Sequence, residues 1–291
     1  MKLPIPVRLG IIGDPIQHSL SPVLHNYLLK RLGIEGEYRA YHVRDGELLQ
    51  FLKTNQGLMG VNVTIPHKES IIQYLDDLDE SARRVGAVNT VGARGIASPR
   101  FVGYNTDGIG FLRSLAVRDF SPEGRRAIIL GAGGAARAVT HALLQSGIAA
   151  LSVYNRTDRR AHKLAEELRK RYPHRAIFVG HWNDSEALAC EKADLLVNTT
   201  PVGMEREALP ILLPERLSDK LLVYDLVYNS PRARLLVEAE QRGAQTMDGL
   251  EMLIYQAIES LKIWLDEPDL EKLIEYDSLK SFLEKRLKEP L

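Results

Sequence analysis

Two rhythms of apolar residues alternate along the first third of the chain. "VRLGIIG" (7–13) is a nearly continuous apolar run of strand length, and "SPVLHNYLLKRLG" (21–33) spaces its apolar residues as a helix does. Pro22 near the start and Gly33 after the end suit helix termini. "EYRAYHV" (37–43) reads as a strand and "GELLQFLKT" (46–54) as a helix. In "GVNVTIPHK" (60–68), Val61, Val63 and Ile65 alternate with Asn62 and Thr64. That predicts a half-buried strand with one apolar and one polar face, ended by Pro66, with Lys68 just beyond. "AVNTVGA" and "RFVGYNT" flank the turn residues of "RGIASP" and predict a hairpin.

A fresh start is marked at "SPEG" (121–124), and six strand-like runs follow: "RRAIIL", "LSVYN", "AIFV", "DLLVNT", "LLVYDLV" and "AQTMDG". Helical stretches such as 135–146 and 158–171 separate several of them, which implies a mostly parallel sheet covered on both faces. From Leu250 onward the pattern is helical. The expected class is α/β, with two α/β domains. A C-terminal Rossmann-type domain spans 108–249, and an N-terminal domain of residues 1–107 is completed by the final helices, 250–291.

Composition narrows the function classes. At 291 residues, with 45% apolar and 26% charged side chains, the chain can bury two ordinary cores. Lysine plus arginine equals aspartate plus glutamate, so no whole-protein charge favours nucleic acid or an anionic membrane. The single cysteine, Cys190, excludes an internal disulfide and reads as a small buried residue on a helix. The histidines fall into no metal-binding spacing, so no metal is expected. "MKLPIPVRLGIIGD" is not a secretory signal, and no apolar run is long enough to span a bilayer. A cytoplasmic protein is expected, either monomer or homodimer, acting on a small molecule.

"AIILGAGGAARAV" (127–139) runs from a buried-type strand through Gly131-x-Gly133-x-x-Ala136 into a helix pattern. That context is the one a dinucleotide fingerprint needs. The first glycine makes the tight turn, and the second lets backbone N–H groups approach a pyrophosphate at a helix N-terminus. The next strand ends in "VYNRTDRR", where an NAD site would carry a carboxylate for the ribose hydroxyls. Asn155, Arg156 and Thr157 stand there instead, with Arg159 and Arg160 behind. A guanidinium binds a 2′-phosphate that a carboxylate would repel, so NADP is favoured over NAD.

Polar residues of the first domain gather at element ends. Ser19 and Ser21 in "QHSLSP" precede a helix; Asn89 lies in "GAVNT", and Asp107 lies between glycines in "GYNTDGIG". Each has a plainer reading, as a helix cap or a turn residue. Taken together, "HSLSPVLHN", "VNVTIPHK", "GAVNT", "GYNTDGIG", "LGAGGAARAV", "NRT", "NTTPVGM", "DLVY" and "LIYQA" resemble, in this order, the shikimate dehydrogenase family.

The resemblance implies reversible, NADP-linked reduction of 3-dehydroshikimate to shikimate, a step toward chorismate and the aromatic amino acids. Carried over by position, it implies that Ser19 and Ser21 bind the substrate carboxylate. Thr64, Asn89, Asp107, Tyr228 and Gln256 contact hydroxyls or ring substituents. It makes Lys68 the catalytic acid/base, with Asp107 beside it. Gly131, Ala132, Gly133, Gly134 and Ala135, with Asn155, Arg156, Thr157 and Arg160, are implied to hold NADP. Glu80, Leu226 and Gly249 are implied to lie toward the nicotinamide. Three places depart from the family pattern: "YNSPRAR", with Pro231 and Ala233, then Glu251, and Ala257. The competing expectations are a quinate/shikimate dehydrogenase with broader substrate or NAD use, and a non-catalytic NADP or metabolite sensor.

Overall fold

The computed structural model describes residues 6–95, 100–180, 182, 192–204, 209–228 and 233–288. The chain divides into two compact units. The first comprises residues 1–110 and 253–291 and the second 111–252, against the expected boundaries after 107 and 249.

The first unit opens with β1 (Val7–Gly13), α1 (Ser21–Arg31), β2 (Gly36–His42), α2 (Leu48–Thr54) and β3 (Gly60–Val63). A 3₁₀ turn, β4 (Asp77–Leu78), α3 (Glu80–Val85), β5 (Thr90–Arg94) and β6 (Arg100–Tyr104) lead into α4 (Asp107–Val117). β7 (Arg126–Leu130), α5 (Gly134–Gln145), β8 (Ala150–Tyr154), α6 (Asp158–Arg171) and β9 (Ala176–Gly180) begin the second unit. It continues with β10 (Leu195–Asn198), β11 (Leu222–Asp225), α7 (Arg234–Gln241) and β12 (Gln245–Met247). Then α8 (Leu250–Leu265) and α9 (Tyr276–Lys288) return to the first.

In the first unit the strand order is β2-β1-β3-β5-β6-β4. β1 pairs parallel with β2 and β3, whereas β5 pairs antiparallel with both β3 and β6, which forms the expected hairpin. Most of its turn lies outside the described residues.

The expected half-exposed character of 60–65 is corrected. The strand ends at Val63, all four of its residues are buried, and Asn62 is only 5% exposed while Ile65 is 50% exposed. The reason is position. β3 is an interior strand, and α8 covers the face that carries Asn62, so what reads as a wet face is dry. Contact there is close enough to require glycine. A Cβ on Gly60 would stand 2.0 Å from the indole nitrogen of Trp264, which donates to the Val91 carbonyl at 2.9 Å.

The second unit has the order β12-β11-β10-β7-β8-β9, with every neighbouring pair parallel. The chain winds outward from β7 through β8 to β9, then resumes on the other side at β10. That is the doubly wound Rossmann order, and its switch point lies at the carboxyl end of β7. Such a sheet is buried on both faces. Ile128 and Leu130 pack into one apolar cluster, Ala127 and Ile129 into the other. The helix assigned to Cys190 lies outside the described residues. Among the described residues no helix is long and apolar enough to cross a membrane.

Candidate active site

In the first unit, Lys68 follows the turn after β3. Its backbone is tied down on both sides: His67 N–H donates to Thr64 O at 2.9 Å, and Val88 N–H donates to Lys68 O at 2.7 Å. The buried His67 ring nitrogen Nε2 lies 2.6 Å from the Val43 carbonyl. So fixed, Lys68 Nζ donates to Asp107 Oδ2 at 2.5 Å. The pair is largely shielded, with side chains 15% and 6% exposed.

Asp107 opens α4 and is held from behind. Its N–H donates to Asn105 Oδ1 at 3.1 Å, and Asn105 Nδ2 donates to the Ala87 carbonyl at 2.9 Å. Asn89 Nδ2 donates to the second carboxylate oxygen, Oδ1, at 2.8 Å, and also lies 2.8 Å from Thr106 Oγ1 and 3.3 Å from Gln256 Oε1. The orientation of the Asn89 amide follows from its other end, because Oδ1 accepts from Thr106 N–H at 2.8 Å and from the Thr90 hydroxyl at 3.0 Å. Lys68, Asp107, Asn89 and Gln256 are thus brought together. Ion pairs held this closely and partly desolvated are charge-assisted hydrogen bonds of the strong kind.

The remaining expected residues of this unit stand as follows. Thr64 is half-buried at the end of β3, its N–H on the Ile12 carbonyl at 2.9 Å. Ser19 and Ser21 flank Leu20, which is the α1 N-cap residue, and no side chain caps the helix there. Ser19 Oγ instead accepts from Ser21 N–H at 3.2 Å. Glu80 sits in the first turn of α3 with its carboxylate on Arg84 at 3.0 Å, and no hydrogen bond among the described residues ties it to Lys68 or Asp107.

Sequence reading missed Thr90, Thr106, Ser260 and Tyr38, and misread Asn62. The Tyr38 hydroxyl, its ring stacked on His25, donates to Asn62 Oδ1 at 2.7 Å. Asn62 Nδ2 lies 3.1 Å from Thr90 Oγ1 and 3.0 Å from Ser260 Oγ. The only available signal was the recurrence of asparagine in "VNVT" and "VNT".

In the second unit Gly131 follows β7 at φ +114°, and a Cβ there would fall 2.4 Å from Thr199 Oγ1. Gly133 is the N-cap residue of α5, without a side-chain cap, and a Cβ added to it meets nothing within 4 Å. The first turn of α5, at Gly134 and Ala135, thus has no capping side chain, and the space beside its N-cap residue is open. This cradle suits a pyrophosphate. At the end of β8, Asn155 Nδ2 donates to Thr157 O at 2.9 Å, while Arg156, Thr157 and Arg160 are exposed at the start of α6. Leu226 N–H donates to Asn198 O at 3.0 Å and Gly249 N–H to Val227 O at 3.3 Å, which joins the segments after β10, β11 and β12; half-buried Tyr228 follows. Residues 229–232, including Pro231, lie outside the described residues.

Asp225, at the end of β11, is fully buried. Its Oδ1 accepts from Asn198 Nδ2 at 2.9 Å and Val227 N–H at 3.0 Å, whereas Oδ2 has no partner among the described residues. Burial pushes its carboxyl up to about 7, against the lowering effect of those two hydrogen bonds. No group of His, Cys, Asp or Glu among the described residues is placed to hold a metal ion.

Residues 11–91 match the family described as the shikimate dehydrogenase substrate binding domain, and residues 114–200 match shikimate / quinate 5-dehydrogenase. The shikimate dehydrogenase (NADP(+)) of Methanopyrus kandleri is 43% identical over 264 residues, 89% of this chain and 90% of that protein. Among solved structures, shikimate 5-dehydrogenase from Thermus thermophilus in complex with NADP(H) and shikimate superposes with a TM-score of 0.80 at 35% identity, covering 97% of this chain and 99% of that one. The enzyme from Listeria monocytogenes in complex with shikimate and NAD gives 0.83 at 32% identity, covering 97% and 98%.

Proposed function

The chain belongs to the shikimate dehydrogenase family, and from that premise we propose that Lys68 and Asp107 carry its proton transfer. It is an NADP-linked oxidoreductase acting on a CH–OH group, and it interconverts 3-dehydroshikimate and shikimate on the way to aromatic amino acids. NADPH, when bound, supplies the hydride. Gly131 through Ala135 would hold its phosphates, and Asn155, Arg156, Thr157 and Arg160 would hold its adenosine end. The uncapped first turn of α5 and the guanidiniums beyond β8 fit that ligand. The family resemblance also assigns Glu80, Leu226 and Gly249 to its nicotinamide side.

Ser19 and Ser21 bind the substrate carboxylate, while Thr64, Asn89, Tyr228 and Gln256 take its hydroxyls. Reducing the ketone builds negative charge on oxygen, and an ammonium beside that oxygen both stabilises the charge and donates the proton. Lys68 does this and takes the proton back in the reverse direction. Asp107 keeps the amine aimed. The reading rests on one observation: Lys68 Nζ lies 2.5 Å from a carboxylate whose other oxygen is held by Asn89.

Lys68→Ala is expected to lose kcat by about three orders of magnitude, within the range for a general acid–base group, while shikimate still binds measurably. Near-normal turnover would overturn the assignment. Because the Listeria monocytogenes relative carries NAD, the cofactor test compares kcat/KM with NADP and NAD, for shikimate and for quinate. Arg156 favours NADP, and Arg156→Asp should shift the preference toward NAD.

A further inference from the structure

Ser260 lies on α8, fully buried and four residues beyond Gln256. Its hydroxyl hydrogen is within reach of both the Gln256 carbonyl at 2.9 Å and Thr90 Oγ1 at 2.8 Å, which leaves its lone pairs for other donors. Three groups converge on Oγ: Asn62 Nδ2 at 3.0 Å, Thr90 Oγ1 at 2.8 Å and Thr106 Oγ1 at 3.3 Å. None of these belongs to the substrate, cofactor or proton-transfer assignments above. We propose that Ser260 is a positioning residue for proton transfer: through Thr90 and Thr106 it locks the Asn89 amide in the orientation that donates to Asp107. This rests on the reading of Lys68 and Asp107 given above.

Proton counting supports the role. Ser260, Thr90 and Thr106 have one hydroxyl hydrogen each. Thr90 spends its own on Asn89 Oδ1, so the hydrogen between Thr90 and Ser260 is Ser260's, shared with the Gln256 carbonyl. Thr106 sends its backbone N–H to the same Asn89 oxygen. That oxygen is therefore filled, and the amide nitrogen must face Asp107. Turned over, Asn89 would set its carbonyl against the carboxylate. Asn62 Nδ2 reaches the Asn89 backbone carbonyl at 3.1 Å, and Ser260 supplies the shared acceptor that lets Asn62 and Thr106 discharge their remaining hydrogens without competing for Asn89 Oδ1. Remove it, and these donors must find partners within the network, because all of them are buried.

The test is steady-state oxidation of shikimate by the full-length enzyme at saturating NADP+. Ser260→Ala should lower kcat about tenfold, the scale of a small misplacement of catalytic groups, with KM for NADP+ unchanged and the pH profile of kcat/KM displaced. Thr90→Val should do the same, Thr90→Ser should keep wild-type kcat, and the Ser260→Ala/Thr90→Val double variant should be no worse than either single change. An unchanged kcat and pH profile with only a lowered Tm overturns the proposal, as does full additivity of the two changes. If Ser260→Ala fails to fold, equal kcat values for Thr90→Val and Thr90→Ser overturn it instead. A Lys68→Ala variant measured alongside separates the layers. Its normal turnover sinks the acid/base reading, whereas its collapse beside an unaffected Ser260→Ala sinks only the positioning role.

Discussion

β3 and β7 both run inside their sheets, and they carry opposite cargo. β7 buries alanine, isoleucines and leucine, and the chemistry begins only after it stops, in a backbone turn. β3 buries an asparagine in mid-strand, and that side chain is part of the network behind Lys68 and Asp107. One unit works with main-chain groups at strand ends, the other with side chains inside the sheet. A strand that is apolar throughout its buried length, as β7 is, frees its end to bind a ligand with N–H groups. A sheet that buries polar side chains must satisfy each of them, and in doing so gains fixed orientations that a surface could not hold.

The contrast is broken most sharply at the glycine turn. Gly131→Val adds a branched side chain at φ +114° and against Thr199. NADP+ binding should weaken at least about a hundredfold, the scale of a few kcal/mol of backbone strain, while far-UV circular dichroism stays native. Wild-type affinity by calorimetry would show that the backbone turn is not the binding element.

Asp225 is the one acid that the second unit buries at a strand end among the described residues, and its titration gives an effect of comparable size. Its carboxyl is raised from 3.8 to about 7 on folding. Below the unfolded value both states hold the proton and stability is at its full value. As pH rises from about 4 toward 7 the unfolded chain loses its proton first, so stability declines, and above about 7 the loss is complete. Asp225→Asn removes this dependence. Its stability relative to wild type should improve by on the order of 4 kcal/mol between pH 4 and 8, at about 1.4 kcal/mol per unit, read from denaturant unfolding. A gap that stays flat with pH would mean that Asp225 is ionised in the folded protein.

Smaller still is a pair of matched substitutions. Asn62→Leu strands the Tyr38 hydroxyl and removes a donor from Thr90 and Ser260, and should cost about 3 kcal/mol. Ile129→Val in β7 should cost about 1 kcal/mol. Equal costs would mean that the buried polar cluster adds nothing specific to the first sheet.

Legibility in the sequence follows the same divide. The Gly131 turn, the Arg156 segment and all six strands of the second sheet were readable because each depends on residues near it in the chain. The Asn62 face was misread because its cover, Ser260, lies 198 residues away. Period-two alternation marks a polar face without saying whether water or a helix stands over it. Thr90, Thr106 and Ser260 escaped notice for a related reason: a serine or threonine within an apolar pattern resembles ordinary filler until its partners are known. Glu80 came from resemblance alone, and its carboxylate lies on Arg84.

Because α8 supplies both Gln256 and Ser260, a ribosome that has finished the first 110 residues has made the lysine, both asparagines and the aspartate without the helix they lean on. Residues 111–252 leave the exit tunnel as an uninterrupted unit and can fold as soon as they emerge. The first unit must wait, its asparagine-bearing strand uncovered, until synthesis passes residue 260. During that interval the young chain is the more exposed in its first 110 residues, and there a chaperone would find most to shelter.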